Sequence, residues 1–231
     1  MPLSKFTAAF ALTVVIACAH TQPAAAVEVE LTERQVTLSG PVTDTTVSKV
    51  VKDILQFDAQ SGDPIWLLMD SPGGSVEAGL VLIDVMKSIR SPIYCIVISK
   101  AFSMGAIITV FAKKRLIFPH ATMMFHEASY GAIGEDPSIR SRIDFSTRYL
   151  DGLHVEIAKA IGMPLEKYRK RIRDAWWVMA DEAIKEGVIE GIVTKVSYRE
   201  TPEEQVEVKR TRTQKSRLMI RPTDEPAPTV D

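Results

Sequence analysis

The chain has 231 residues, 46% of them hydrophobic and 25% charged, a balance that supports one ordinary globular core plus tails. A formal net charge of −1 provides no global attraction to nucleic acid or to an anionic membrane surface, so neither partner is expected from electrostatics. Function must therefore reside in a local site.

The first stretch, "MPLSKFTAAFALTVVIACAHTQPAAAVEV", sets Lys5 before an apolar run from Phe6 to Ala17, followed by small residues at Ala24, Ala25 and Ala26. This is the pattern of a secretory signal peptide over residues 1–26, cleaved after Ala26, with an apolar run too short to span a bilayer. A second reading stands beside it. "VIAC", Val15 to Cys18, resembles a bacterial lipobox, in which Cys18 would carry the lipid and tether the protein to a membrane. Either route predicts an exported, periplasmic protein whose folded domain occupies residues 27–198. Cys95 is then the only cysteine in that domain, and its apolar surroundings in "IYCIV" mark it as a buried structural thiol. No cysteine cluster suggests zinc, and no metal or other cofactor is expected.

From Arg34 onward strand and helix patterns alternate. "RQVTLSG" is β-rich, and Val47, Val50, Val51, Ile54 and Leu55 then recur at helical spacing. "PIWLLMD" reads as a buried strand, "SVEAGLVLIDVMKSI" as a helix, "PIYCIVI" as a strand and "SMGAIITVFA" as an apolar helix. Continuous apolar strands in β-α-β order predict an α/β domain with a mainly parallel sheet covered on both faces. Two short strands, "RLIF" and "TMMFH", precede a helical stretch from Ser138 to Ile161 that is longer than a compact crossover needs and is expected to project. The run from residue 199 to 231 is polar, charged and proline-bearing, and reads as a disordered tail with a basic segment from Lys209 to Arg221.

Two stretches carry chemical interest. "MDSPGGSVEAG" lies at the C-terminal end of a predicted strand and opens a helix, where ligands bind in open α/β sheets, and its paired glycines allow close backbone approach. "AFSMGAI" places Ser103 between a strand and a helix, where the ordinary role of serine is to cap the helix start. A nucleophilic serine would need a base and oxyanion donors. Of the four histidines, His20 falls in or near the leader, His120 in a turn beside Pro119, and His154 on the long helix. His126, at the end of "TMMFH", can be presented at the same sheet edge as Ser103.

In order, "SPGGSVEAG", "FSMGA" and "MMFHEA" resemble the proteolytic subunit of the Clp protease, ClpP, within the wider ClpP/crotonase fold. The likeness runs from about Arg34 to Val196 and includes "GMPLEKYRKRIRDAWWVMADEAIKEGVIEGIV", similar to that family's closing helix, strand and helix. The Gly74–Ser103 and His126–Gly162 spacings match as well. The resemblance implies Ser103 as nucleophile, His126 as general base, and the backbone N–H groups of Gly74 and Met104 as the oxyanion hole, with Gly73 shaping the turn. It also implies a homo-oligomer joined through the long helix and a peptide or unfolded protein segment as substrate. With no ATP expected in the periplasm, hydrolysis would proceed without an unfoldase.

For the acid that orients the histidine, Asp174 in "IRDAWWVMADEA" is the residue available, although ungapped counting from Gly162 or Glu182 lands on Ala175. A one-residue bulge would bring Asp174 to the site; without it the site is a Ser-His dyad, or the protein is a catalytically silent assembly or binding module. Three rival readings fit less well. An α/β-hydrolase places its acid before its histidine in the chain, signal peptide peptidase A relatives use a Ser-Lys pair, and a crotonase-type acyl-CoA enzyme would need neither Ser103 nor His126. The paired Trp176 and Trp177 read as core or interface aromatics.

Overall fold

The computed structural model describes residues 26–129, 131 and 133–199. The leader with Cys18 and His20, and the tail from residue 200, lie outside the described residues. Strands β1 (Ala26–Leu31) and β2 (Gln35–Ser39) lead into helix α1 (Asp44–Gln60), β3 (Ile65–Ser71) and α2 (Val76–Ser88). They are followed by β4 (Ile93–Phe102), α3 (Met104–Val110), β5 (Lys114–Ile117) and β6 (Thr122–Phe125). Helices α4 (Asp136–Ala160) and α5 (Leu165–Ile172), strand β7 (Trp176–Met179), α6 (Ala180–Lys185) and β8 (Gly191–Tyr198) complete the order. Among the described residues no helix is long and apolar enough to cross a membrane.

The eight strands form one sheet in the order β1-β8-β5-β4-β3-β2, with β6 joined to β4 and β7 to β6. Every pairing is parallel except β6–β7. Parallel neighbours need crossovers, and the amphipathic segments between them supply these as helices. In α1 the predicted stripe buries Val47, Val50 and Ile54, whereas Leu55 stays exposed. Thr43 caps its start through a reciprocal capping box with Thr46, which satisfies donors left free in the first turn.

One face of the sheet and the helices share a continuous core that includes Leu67, Met69, Leu82, Ile83, Met104 and Phe125. Full burial of each such side chain stabilises by about 1.5–3 kcal/mol. The opposite face is covered differently from what the apolar strands suggest. Its cluster of Val29, Leu31, Trp66, Ile96, Leu116 and Val193 comes wholly from strands. β1 and β8, the strands that close this cluster, are the two the sequence pattern does not reveal. β1 begins at Ala26, paired to Ile192, so the ordered sheet includes the last residue of the expected leader.

Strand β4 changes partner along its length. Tyr94 to Val97 pair with β5, while Lys100 to Phe102 pair with β6, and the β3–β4 register shifts in between, from Met69↔Val97 to Ser71↔Ala101. An irregularity of this kind bends a strand and re-aims the residues beyond it. Lys100 Nζ donates to Asp70 Oδ1 at 2.9 Å across the shift.

α4 meets the long-helix expectation and projects. Only Leu153, Ile157 and Ala158, all in its last third, are buried, and Ile143, Phe145 and Tyr149 are left exposed with the two rings stacked. Cys95 is fully buried, and desolvation pushes its thiol up to about 12, which suits a structural role.

Arg34 fastens the end of the sheet remote from the C-terminal strand edges. Its guanidinium donates to the carbonyls of Phe57, Ser61 and Asp63 and to Ser91 Oγ, tying the end of α1 to the entries of β3 and β4. Replacing Arg34 with Met keeps the stem and removes every donor. We expect a loss of about 1–3 kcal/mol in urea-unfolding free energy, with the native circular dichroism spectrum retained.

Candidate active site

The two stretches singled out by sequence meet at the C-terminal ends of β3 and β4. Ser103 adopts φ 52° and ψ −120°, a backbone conformation that costs a non-glycine residue of order 1–3 kcal/mol. It is held there by its N–H, which donates to the Met124 carbonyl at 2.7 Å, and by Ile107 N–H, which donates to the Ser103 carbonyl at 3.1 Å. The capping expectation for its side chain is not met, since the hydroxyl makes no bond to the helix start. It lies instead 2.8 Å from His126 Nε2.

His126 follows β6 directly, and β6 pairs with the segment of β4 that runs into Ser103. The partner switch of β4 is thus what brings serine and histidine together. For Nε2 to accept the serine proton, the ring must carry its own proton on Nδ1.

The glycine turn approaches Ser103 from the other side. Gly73 (φ 90°) is so close that a Cβ would sit 2.6 Å from both the Phe102 carbonyl oxygen and Ser103 Cβ. Gly74 (φ 151°) is pressed against the backbone of Val42. The Val42 N–H donates to the Gly73 carbonyl and the Val42 carbonyl accepts from Ser75 N–H, both at 2.9 Å. Ser71 Oγ accepts from Gly73 N–H at 3.1 Å. Neither Val42 nor the fully buried Ser71 was indicated by sequence; Ser71 stands two positions before Gly73, whereas Val42 meets the glycine pair only through the fold. These bonds leave the Gly74 N–H outside the turn's own network, and Met104, as the first residue of α3, has no intrahelical acceptor for its N–H. Both residues line one chamber of about 240 Å³ with Ser103 and His126. Two N–H donors beside a serine hydroxyl can stabilise a negative oxygen formed by attack on a carbonyl.

Asp174 makes no hydrogen bond to His126. It is exposed, and among the described residues no carboxylate hydrogen-bonds the His126 ring. The β6–β7 register pairs Phe125 with Trp176 and Met124 with Trp177 and carries no bulge over the paired residues; continued one step, that register would set His126 against Ala175. Ala175 itself takes φ 61° where the chain turns from α5 into β7.

The tryptophans divide as strand alternation requires. Trp176 is buried and stacks on Phe125 at 5.2 Å, and Trp177 is exposed, meeting Phe102 edge-on at 5.0 Å. His120 is exposed in its turn. His154, on α4, lines the same chamber as Ser103, and burial followed by the Arg169 charge lowers its pKa from the ordinary histidine value.

A strained serine at a strand-to-helix junction, a histidine on its hydroxyl and two unspent N–H groups in one chamber form an arrangement with the parts acyl transfer requires, on a curled, mostly parallel α/β sheet. A family model described as Clp protease matches residues 21–196, about three-quarters of the sequence, and the chain belongs to that family of peptidases.

Gly73→Ala tests the close approach. Its Cβ would displace the Ser103 backbone, and the left-handed φ adds strain. We expect loss of Ser103 labelling by a fluorophosphonate probe, while unfolding shows a cooperative, destabilised domain.

Proposed function

We propose that this chain is an exported, ATP-independent serine peptidase that hydrolyses peptides or unfolded segments with Ser103 and His126 as a catalytic dyad. The observation that carries the reading is the 2.8 Å contact between Ser103 Oγ and His126 Nε2 beside the two free N–H groups. Ser103 Oγ attacks the scissile carbonyl as Nε2 takes its proton, and the resulting oxyanion accepts from Gly74 and Met104 N–H. His126 then returns the proton to the departing amine, leaving an acyl-enzyme. Water, deprotonated by the same imidazole, attacks the ester, and the serine recovers its proton as the acid product leaves.

Export rests on the leader pattern, with cleavage after Ala26 or lipidation at Cys18 as its two routes. Self-association rests on the exposed apolar side chains of α4, whose stacked Phe145 and Tyr149 and neighbouring Ile143 offer a surface for a second copy. A catalytically silent assembly module is the second reading, favoured by one specific observation: no carboxylate holds the His126 ring among the described residues. Fluorophosphonate labelling of Ser103 in the purified protein decides between them.

Ser103→Ala and His126→Ala should each abolish cleavage of fluorogenic peptides with the fold intact, because an unassisted hydroxyl is a poor nucleophile at neutral pH. Full activity of either variant overturns the dyad.

The acid position gives a sharper pair of outcomes. Asp174→Asn should change turnover by less than about threefold, well under 1 kcal/mol of barrier. Ala175→Asp should raise it by about tenfold or more, since a carboxylate opposite His126 would hold the Nδ1 proton, and loss of that group costs about 10⁴ in serine proteases. Aspartate also tolerates the positive φ better than most residues. The kcat values of the two variants against wild type check both.

A further inference from the structure

The chamber beside Ser103 is apolar on most sides, with Val76, Ile107, Met124 and Leu153 in its wall. Besides Ser103, His126 and Ser129, two polar groups from the helices α4 and α5 interrupt that wall. Tyr168, from α5, is 1% exposed and lines the chamber. His154, half-buried on α4, packs its ring against Tyr168 at 5.8 Å. His154 also lines a second cavity, of about 260 Å³, shared with Glu127, Asp151 and Arg169. The two cavities have Ala128, Leu150 and His154 in common. His154 therefore stands in the partition between an apolar chamber at the nucleophile and a charged vestibule.

We propose that His154 is the specificity-determining residue of the Ser103 chamber, and that gain of a proton by its imidazole switches the admitted substrate side chain from apolar to acidic. The proposal rests on the peptidase reading above and names the substrate class of that same site.

A neutral imidazole adds a weakly polar patch to an apolar wall, and the chamber volume suits a side chain such as leucine. The carboxylates of Asp151 and Glu127 on the vestibule side oppose an acidic side chain in that state. A protonated His154 places a cation in the wall with little water to screen it, which disfavours leucine and attracts a carboxylate. The charged and titratable groups facing His154 are Asp151 on its own helix, Glu127 in the segment after β6, and Arg169 and Tyr168 on α5. His126 lies across the chamber. Burial and Arg169 favour the neutral ring, while Asp151 and Glu127 favour the charged one. Because the net direction is downward, the leucine-selecting state holds at neutral pH and the switch falls on the acid side of the ordinary histidine range.

The test compares kcat/KM for acyl-peptide coumarins with leucine or glutamate at the residue before the scissile bond, at about pH 7.5 and about pH 5. The leucine-to-glutamate ratio removes any loss of activity common to both substrates. In wild type the ratio should fall by about tenfold or more on acidification, equivalent to ~1.4 kcal/mol of discrimination. In His154→Gln it should stay constant within about twofold. Asp151→Asn, which leaves the imidazole in place but removes an anion beside it, should move the midpoint of the change to lower pH. A flat ratio in wild type, or an equal fall in His154→Gln, overturns the proposal, the second outcome assigning the pH effect to another of the named groups. Calorimetric binding of the corresponding peptide amides to Ser103→Ala gives the same ratio without cleavage. If wild type cleaves neither substrate, the peptidase reading falls, and the binding ratio still decides the role of His154.

Discussion

Everything at the site depends on Ser103 being held at φ 52°. An L-residue does not adopt that conformation unless its surroundings leave no alternative, and here three restraints act together. The Met124 carbonyl takes the serine N–H, the first turn of α3 takes its carbonyl, and Gly73 fills the space behind it. The strain turns the hydroxyl away from the helix it would otherwise cap and toward His126. A serine with ordinary helical-start geometry would satisfy the helix and leave the histidine without a partner.

That constraint explains the departure from regular sheet geometry in β4. A strand that paired with β5 along its whole length would carry Ser103 to the edge of an ordinary parallel sheet, without β6 beside it. The register shift near Lys100 frees the last residues of β4 to pair with β6, and β6 runs directly into His126. Ser103 and His126 thus directly follow adjacent strands, with the Gly74 and Met104 N–H groups on the loop from β3 and the start of α3. These parts come from separate segments, but each is fixed by backbone pairing rather than by long flexible side chains. This is the rigidity that preorganised charge stabilisation needs.

Much of this was legible in the sequence, for identifiable reasons. Strands β3 and β4 and helices α1 and α2 bury continuous or periodic apolar sets, so hydropathy reveals them. Ser103, His126 and the glycine pair stood out because their three motifs, in order, resemble those of the Clp protease proteolytic subunit; residue type alone would have left the serine a helix cap and the histidine a structural residue. The features that escaped lacked a local signal. β1 and β8 are half-exposed strands stabilised mainly by pairing with each other, and nothing within either segment announces a partner at the other end of the chain. The relation of Ala175, rather than Asp174, to His126 depends on an antiparallel register across two strands. Counting along the chain indicated it, but a bulge would have reversed it, and only the pairing distinguishes these. His154 belonged to the same category: on α4 its spacing looked unremarkable, and its importance comes from α5 and the Ser103 chamber converging on it.

The pairing of β1 with β8 carries a consequence for the birth of the molecule. Thr194 Oγ1 donates to the Val27 carbonyl, a contact spanning 167 residues, and Arg199 reaches back to Glu30. Until the last strand has been synthesised, Val29 and Leu31 have no β8 to complete the cluster on the strand-only face of the sheet. Contacts this distant in sequence are the slowest to form, because a long loop must close before they return any stability. The nascent chain therefore presents an open, unpaired N-terminal strand for almost the whole of its synthesis.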